Sequence, residues 1–244
     1  METLSIIIPA KNEAELLPLL LDDIKRQTYQ PLEVIVADAG STDGTRELAQ
    51  ARGARVVAGG LPAVGRNLGA AEAKGTVLLF LDADVRLLDE AMLEKMMQQF
   101  SVRSLGVATV NVSILGNFFD HFAHSVFNAY VRLWGSKRPH APGFCIMVRK
   151  ELHDQVGGFD PTIKLAEDHD YAVRVGKIGS FGFLDGVTIT TTTRRFEKEG
   201  RAVVAIKYVL AEVHQLLIGP IRHDLFKYEF GYTKEEVEKA KQRH

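Results

Sequence analysis

Ten residues constrain the fold of this chain more than any other stretch: Thr76–Val85, reading TVLLFLDADV. The five apolar residues Val77–Leu81 suit a strand buried on both faces, which is the pattern of a helix-covered parallel sheet. Gly75 precedes the run, and the run stops abruptly at Asp82-Ala83-Asp84. Carboxylates at i and i+2, just past the C-terminal end of a central strand, stand where open α/β sheets bind ligands. Two hard oxygen donors so placed can hold Mg²⁺ or Mn²⁺ and leave positions open for phosphates. Taken alone, the pair is better explained by a solvated Asp-x-Asp turn, so the decision rests on what surrounds it.

The first half of the chain alternates strand and helix signals. Leu4–Ile8 reads as a buried strand stopped by Pro9, and Asn12 is placed to cap a helix with the stripe Leu16, Leu17, Leu20, Leu21 and Ile24. Leu32–Val36 is a second strand ending near Asp38. The turn Gly40–Thr45 then opens a helix through Gln50. Arg55–Val57 gives a short third strand and Val64–Ala73 a helix carrying Arg66 and Asn67. This alternation predicts an α/β fold: a mostly parallel, twisted, Rossmann-like sheet with helices on both faces. The second half is less regular. Helices are expected at Glu90–Phe100, Asn117–Trp134, Glu151–Val156 and Glu167–Val175, and strands at Leu105–Val112, Phe144–Val148 and Val187–Thr192. With no linker composition anywhere, the reading is one domain over residues 1–196 and a helical appendage over 197–244.

In such a sheet three acidic groups emerge at one edge. Pro9, Ala10, Asn12 and Glu13 follow strand one, Asp38 follows strand two, and Asp82 and Asp84 follow strand four. Asp38 can accept a hydrogen bond from a uracil or guanine ring N–H, or it can cap the helix after Ser41. Arg66 can reach a diphosphate, or it can be a surface charge. Glu167 and Asp168 open a helix far along the chain. They are candidates for a general base, with plain dipole-favoured helix charges as the alternative. The separate alternatives explain the joint arrangement poorly.

Composition narrows the remaining choices. The 244 residues carry a net charge of −1, which excludes a general affinity for polyanions and makes nucleic acid no partner. One cysteine, Cys145, fits a reducing compartment. The opening METLSIIIPAKNE has an apolar run too short for a signal peptide, so a cytoplasmic protein is expected, with contact at a membrane surface left open. His121, His124, His140, His153, His169, His214 and His223 are candidates for an extra metal ligand, but none has a spacing that singles it out, and core or surface roles are the better reading.

Five segments in order resemble an inverting family-2 glycosyltransferase of the GT-A fold: SIIIPAKNE (Ser5–Glu13), EVIVADAGSTDGT (Glu33–Thr45), GRNLGAAEAKGTVLLFLDADV (Gly65–Val85), GFCIMVRKELHDQVGGFD (Gly143–Asp160) and AEDHDYAVRV (Ala166–Val175). The resemblance implies that Pro9, Ala10 and Glu13 border a nucleotide, that Asp38 meets its base, and that Asp82 and Asp84 hold Mg²⁺ or Mn²⁺ against the diphosphate of a UDP- or GDP-sugar. It implies Asp168 as the base that deprotonates an acceptor, with Glu167 beside it, and Gly158 in a turn on the acceptor side. Asp38 is followed by Ala39 where many relatives carry paired acids, which leaves the nucleotide base open. No Q-x-x-R-W motif is found, which favours single addition over polymerisation.

Arg194-Arg195 resembles an arginine pair of some small family members and can clamp a donor diphosphate or an acceptor phosphate, or simply open a helix. Ala202–Ile218 is strongly apolar but broken by Lys207, Glu212 and His214, which argues against a membrane span. It reads first as a helix packed on the domain, with a membrane surface or a second copy as the other readings. With the aromatic stripe Phe118, Phe122, Val126, Tyr130 and Trp134, it favours a lipid-linked acceptor. A charged helix is expected at Thr233–Arg243. Two rivals remain. A nucleotidyltransferase would need a glycine- and lysine-rich triphosphate loop that PAKNE lacks. A catalytically silent nucleotide-sugar-binding scaffold would not need Asp168.

Overall fold

In the computed structural model, residues 2–116 and 118–223 are described. The strands are β1 (Leu4–Ala10), β2 (Glu33–Asp38), β3 (Arg55–Ala58), β4 (Val77–Leu81), β5 (Val107–Ile114), β6 (Cys145–Arg149) and β7 (Phe181–Thr191). The α-helices are α1 (Leu17–Arg26), α2 (Thr45–Ala51), α3 (Pro62–Ala71), α4 (Met92–Val102), α5 (Phe118–Trp134), α6 (Lys150–Gln155), α7 (Glu167–Gly176), α8 (Arg194–Glu199) and α9 (Arg201–Leu217). One sheet has the order β3-β2-β1-β4-β6-β5-β7, and β6 alone runs against the other strands. The α/β architecture is therefore as expected, with one reversed strand inserted in a parallel sheet.

That reversal decides what meets at one edge. Because only β6 is inverted, the C-terminal ends of β1, β2, β4, β5 and β7 and the N-terminal end of β6 lie on the same side. Residues just after Ala10, Asp38, Leu81 and Thr191 thus face a common crevice with Gly143 and Phe144, which precede Cys145.

The organising strand behaves as its composition demands. All five residues of β4 are buried. Val77, Leu79 and Leu81 enter the core formed with α1, α2 and α4, while Leu78 and Phe80 enter the core formed with α3 and α7. Full burial of each such side chain contributes about 1.5–3 kcal/mol, so β4 alone ties the two layers together. Phe80, Phe159 and Tyr171 pack as an aromatic group in the second layer, with Phe159 stacked on Tyr171 at 3.9 Å.

Several boundaries differ from the sequence reading, each for a local reason. Strand β1 runs through Pro9 to Ala10, because pairing of β1 with β4 ends at Ile7 and the proline's missing N–H falls where one flank has opened. Asn12 does not cap α1. It has φ 55°, its Oδ1 accepts from Thr42 N at 3.0 Å, and α1 begins after Leu16 with a proline in its first turn. Strand β7 starts six residues early, at Phe181, and the register with β5 slips between Thr109 and Asn111 near the left-handed Gly186. The expected Thr233–Arg243 helix lies outside the described residues, as does Asn117.

The C-terminal helices pack less fully than expected. In α9 only Val204 and Ala211 are buried, and Val203, Ile206, Val209, Leu210, Val213, Leu216 and Leu217 are exposed. The stripe on α5 also faces outward, with Phe118, Phe122 and Val126 exposed. Among the described residues no helix is long and apolar enough to cross a membrane. Helix α8 runs across the 196/197 boundary expected between domain and appendage.

Candidate active site

Close packing of α3 on β1 brings the first functional group into place. An added Cβ at Gly69 would stand 2.4 Å from Ile7 Cγ2 and one at Gly65 3.3 Å from Pro9 Cβ, so the GRNLG segment lets this helix lie against the strand. Arg66, between them, is thereby carried under the floor of the crevice, where its side chain is 3% exposed. Its Nη2 donates to Asp82 Oδ1 at 2.9 Å and to the Gly143 carbonyl at 3.3 Å, and its Nη1 donates to Glu167 Oε1 at 2.8 Å. Arg66, expected as a surface charge or a diphosphate ligand, is thus a buried tie between the acidic pair after β4 and the one that opens α7.

The adjacent Asn67 fixes the neighbouring turn. Its amide donates to the Phe159 carbonyl and accepts from Phe159 N, both at 2.8 Å. Gly158, at φ +72°, packs so that a Cβ would meet Asn67 Oδ1 at 2.5 Å. Gly158 therefore shapes the turn behind Arg66, where its carbonyl also accepts from Arg174 Nη1 at 2.8 Å.

Asp168 is positioned by the reversal of β6. Gly143 N donates to its Oδ2 at 2.6 Å, and the His169 amide donates to its Oδ1 at 2.8 Å. Ala166, the residue before α7, adopts φ 59°, an uncommon conformation for a residue with a side chain, and the helix starts from it. Helix α7 thus presents Glu167 to Arg66 and Asp168 to Gly143 in the segment that leads into β6.

The loops after β1 and β2 are stitched together. Asn12 N donates to Ser41 Oγ at 2.9 Å, Glu13 N to Thr45 Oγ1 at 2.8 Å and Ala14 N to Asp43 Oδ2 at 3.0 Å. Asp38 is buried at the end of β2, where both carboxylate oxygens lie 3.3 Å from Ser41 N and one lies 3.4 Å from Arg46 Nε. It does not cap α2, whose N-cap is Gly44. Pro9, Ala10 and Asp38 line one end of the crevice through the β1–β2 register, Pro9 opposite Ala37 and Ala10 opposite Asp38.

The arginine pair divides. Arg194 enters the crevice, donating from Nη2 to Glu13 Oε2 at 2.7 Å and lying 3.9 Å from Asp84 Oδ2. Arg195 pairs with Glu199 at 3.3 Å and lies over the Tyr208 ring. Thr192 Oγ1 donates to Asp84 Oδ2 at 3.0 Å, a contact with no sequence signal beyond the threonine run. Five carboxylates (Glu13, Asp82, Asp84, Glu167 and Asp168) thus share a crevice with the guanidiniums of Arg66 and Arg194.

This crowding shows in the proton affinities. Desolvation raises Asp82 more than Arg66 lowers it, and the charge of Asp84 adds to the rise. Desolvation also raises Glu167, with Asp168 adding to it against the pull of Arg66. Burial pushes Glu13 up to about 7 despite Arg194. Hard oxygen donors short of positive charge fit a divalent cation of the Mg²⁺ or Mn²⁺ class. Oδ2 of Asp82 and Oδ1 of Asp84 carry no protein hydrogen bond among the described residues, which leaves each carboxylate an oxygen to offer.

Glu13 yields a pH prediction. Its folded-state pKa lies above the 4.5 of the unfolded chain, so between those values the unfolded state has lost a proton that the folded state keeps, and stability falls as pH rises. Glu13→Gln is expected to gain on wild type by about 3 kcal/mol between pH 4.5 and 7.5 in metal-free buffer. Buried His153, pushed down to about 4 by desolvation, has the opposite slope in wild type and variant alike, so only the difference between them isolates Glu13. Urea titrations at pH 5 and 8 measure it, and a difference independent of pH would reject the assignment.

The Glycosyl transferase family 2 profile matches residues 5–157. The chain belongs to glycosyl transferase family 2. The match covers β1 to β6, with every acidic residue of the crevice except those on α7. Among curated proteins, 4,4'-diaponeurosporenoate glycosyltransferase from Staphylococcus haemolyticus is 37% identical over 109 residues, 41% of this chain and 29% of that protein. The chain spans less than half the length of the first curated relatives it matches. Among solved structures, mannosyltransferase PcManGT from Pyrobaculum calidifontis, in complex with GDP-Man and Mn²⁺, superposes with a TM-score of 0.67 at 22% identity, over 87% of this chain and 64% of that one. TarS 1-349 of S. aureus, in complex with UDP-GlcNAc, gives 0.61 at 19% identity over 78% of this chain and 58% of that one. These superpositions place the GT-A fold on this family member.

Proposed function

We propose that this family 2 member transfers a single sugar from a nucleoside-diphosphate sugar to an acceptor, with inversion at the anomeric carbon. The observation that carries the reading is the convergence of Glu13, Asp38, Asp82, Asp84 and Arg194 at one sheet edge with Asp168, which arrives from the other half of the chain. PcManGT and TarS, whose solved structures hold GDP-Man and UDP-GlcNAc, support a donor of this class. Asp38 receives a ring N–H of the base, and Pro9 and Ala10 border it. Asp82 and Asp84 would hold Mg²⁺ or Mn²⁺, whose charge supports the departing diphosphate. Arg194 adds a charge-assisted hydrogen bond to the same diphosphate by moving from Glu13 to a phosphate oxygen. Arg66 acts at one remove, by keeping Asp82 and Glu167 in place.

Asp168 is the general base. Two backbone N–H groups hold its carboxylate, so its remaining lone pairs are oriented toward the crevice to take the proton of an acceptor hydroxyl as it attacks from the face opposite the leaving group. The exposed apolar faces of α5 and α9 beside the crevice favour an acceptor carried on a lipid, met at a membrane surface.

Calorimetric titration with UDP, GDP, CDP and dTDP, each with Mn²⁺ and with chelator, tests the donor site. One nucleotide is expected to bind in the presence of Mn²⁺, and Asp84→Asn to weaken it by at least about tenfold, or 1.4 kcal/mol. Binding that ignores both chelator and substitution would remove the carboxylate pair from the donor site.

A further inference from the structure

We propose that His140, His169 and Glu212 form a second metal site, separate from Asp82 and Asp84, which takes a divalent cation of the zinc class and ties α9 to the helix that carries Asp168. Among the described residues, one ligand atom from each of these three side chains lies within 4.8 Å of the other two. The residues come from three places in the chain: the segment before β6, the first turn of α7 and the middle of α9.

The ring of His140 supplies the first argument. Its side chain is 1% exposed, and its Nδ1 lies 2.7 Å from the Arg138 carbonyl, which only an N–H can satisfy. With the proton on Nδ1, the neutral ring turns the lone pair of Nε2 toward Glu212 Oε1 at 3.4 Å. That sets a ring lone pair against a half-buried carboxylate, an arrangement that a cation shared by the two would satisfy. A backbone carbonyl fixing the far nitrogen of a histidine is the arrangement that metal-ligating imidazoles use to set their tautomer.

His169 supplies the second. Its Nδ1 is buried with no hydrogen-bond partner, 3.8 Å from Glu212 Oε2, too far for a hydrogen bond and in line with two ligands of one ion. Zinc bonds of about 2.0–2.1 Å in a tetrahedron set ligand atoms roughly 3.4 Å apart, close to both separations. Two imidazoles and one carboxylate select a zinc-class ion over Mg²⁺ or Mn²⁺, which prefer all-oxygen sets. Glu212 is itself anchored, since Tyr130 Oη and Arg138 Nη1 each donate to Oε1 at 2.7 Å. Arg138 already balances part of its charge, and Glu212 turns Oε1 to His140 and Oε2 to His169, so an ion between the two rings would meet both carboxylate oxygens.

The consequence is mechanical. Helix α9 is largely exposed, and it meets the start of α7 through Glu212 and through Gln215 Nε2, which donates to the Ala166 carbonyl at 3.2 Å. A metal shared between Glu212 and His169 would fasten that contact one residue from Asp168.

The probe is Zn²⁺ alone, titrated against a chromophoric chelator, with far-UV circular dichroism to check folding. Wild type and Asp84→Asn are each expected to take up one tight equivalent and to melt at higher temperature with Zn²⁺. His140→Ala and Glu212→Gln are each expected to weaken uptake more than about tenfold. Co²⁺ in wild type should give the visible absorption of a tetrahedral site. Uptake lost in Asp84→Asn but retained in His140→Ala would place the ion on the Asp82–Asp84 pair and overturn the proposal. The absence of a tight equivalent in folded wild type would do so too, leaving the two histidines as protonated partners of Glu212. Should His140→Ala fail to fold, Glu212→Gln decides the matter by the same readout.

Discussion

Asp168→Asn is expected to lower kcat by about two to four orders of magnitude while changing the affinity for the nucleotide donor by no more than a few-fold. The carboxylate accepts two backbone hydrogen bonds, from Gly143 N and His169 N. A carboxylate can accept both and still receive a proton from an acceptor hydroxyl. An asparagine can accept only one of them, because its amide nitrogen would confront the other N–H, and it has no basic lone pair left. The substitution therefore removes the base and turns the side chain. It leaves Asp82, Asp84 and Arg194 in place, which is why donor binding should survive. Steady-state kinetics with the donor identified by calorimetry makes the measurement. The outcome also sorts acceptors by chemistry. A phosphate acceptor arrives already ionised and needs no base, so a variant within a few-fold of wild type would mean an anionic acceptor, whereas the large loss means a hydroxyl.

How much of this was legible in the sequence depends on the range of the interaction. Strand β4 is recovered residue for residue, since burial on both faces writes itself as an unbroken apolar run ending at a charged pair. Helix α7 likewise starts at Glu167 as expected, because the acidic residues mark its first turn. That Glu13, Asp38, Asp82 and Asp84 emerge at one edge follows from strand direction alone, and the parallel strands β1, β2 and β4 end there. What stayed hidden are contacts that depend on the insertion of β6. A reversed strand leaves no periodic signature, yet it sets Gly143 beside Asp168 and lets Arg66 reach Glu167, 101 residues away. The histidines were equally opaque. His140 and His169 are 29 residues apart with nothing in their spacing to join them, and Glu212 comes from a helix read mainly for its apolar residues. The outward turn of the stripe on α5 is a further limit of pattern reading: i+4 spacing identifies a face but says nothing about whether the protein covers it.

Arg66→Met should be the most destabilising single change in the crevice, toward the lower end of about 3–5 kcal/mol, because Glu167 loses a buried partner while Asp82, with 37% of its side chain exposed, is partly screened by water. Methionine fills much of the volume, so the loss is electrostatic rather than a cavity effect. Asp82 and Glu167 are already raised by desolvation with the guanidinium present, and without it they rise further. Their folded-state values then lie well above those of the unfolded chain, so the penalty is full at neutral pH and shrinks as pH falls and both groups take up protons. The Arg66→Met, Glu167→Gln double variant removes one of the stranded charges and should recover part of the stability, a non-additivity expected only if the two side chains interact directly. Urea unfolding of the four proteins at pH 5 and 7.5, in chelator, closes the cycle. A loss below about 1 kcal/mol with no pH dependence would mean that water screens the carboxylates as it does at a surface. In that case Arg66 would be free to turn toward the diphosphate, where its charge would act on the donor directly.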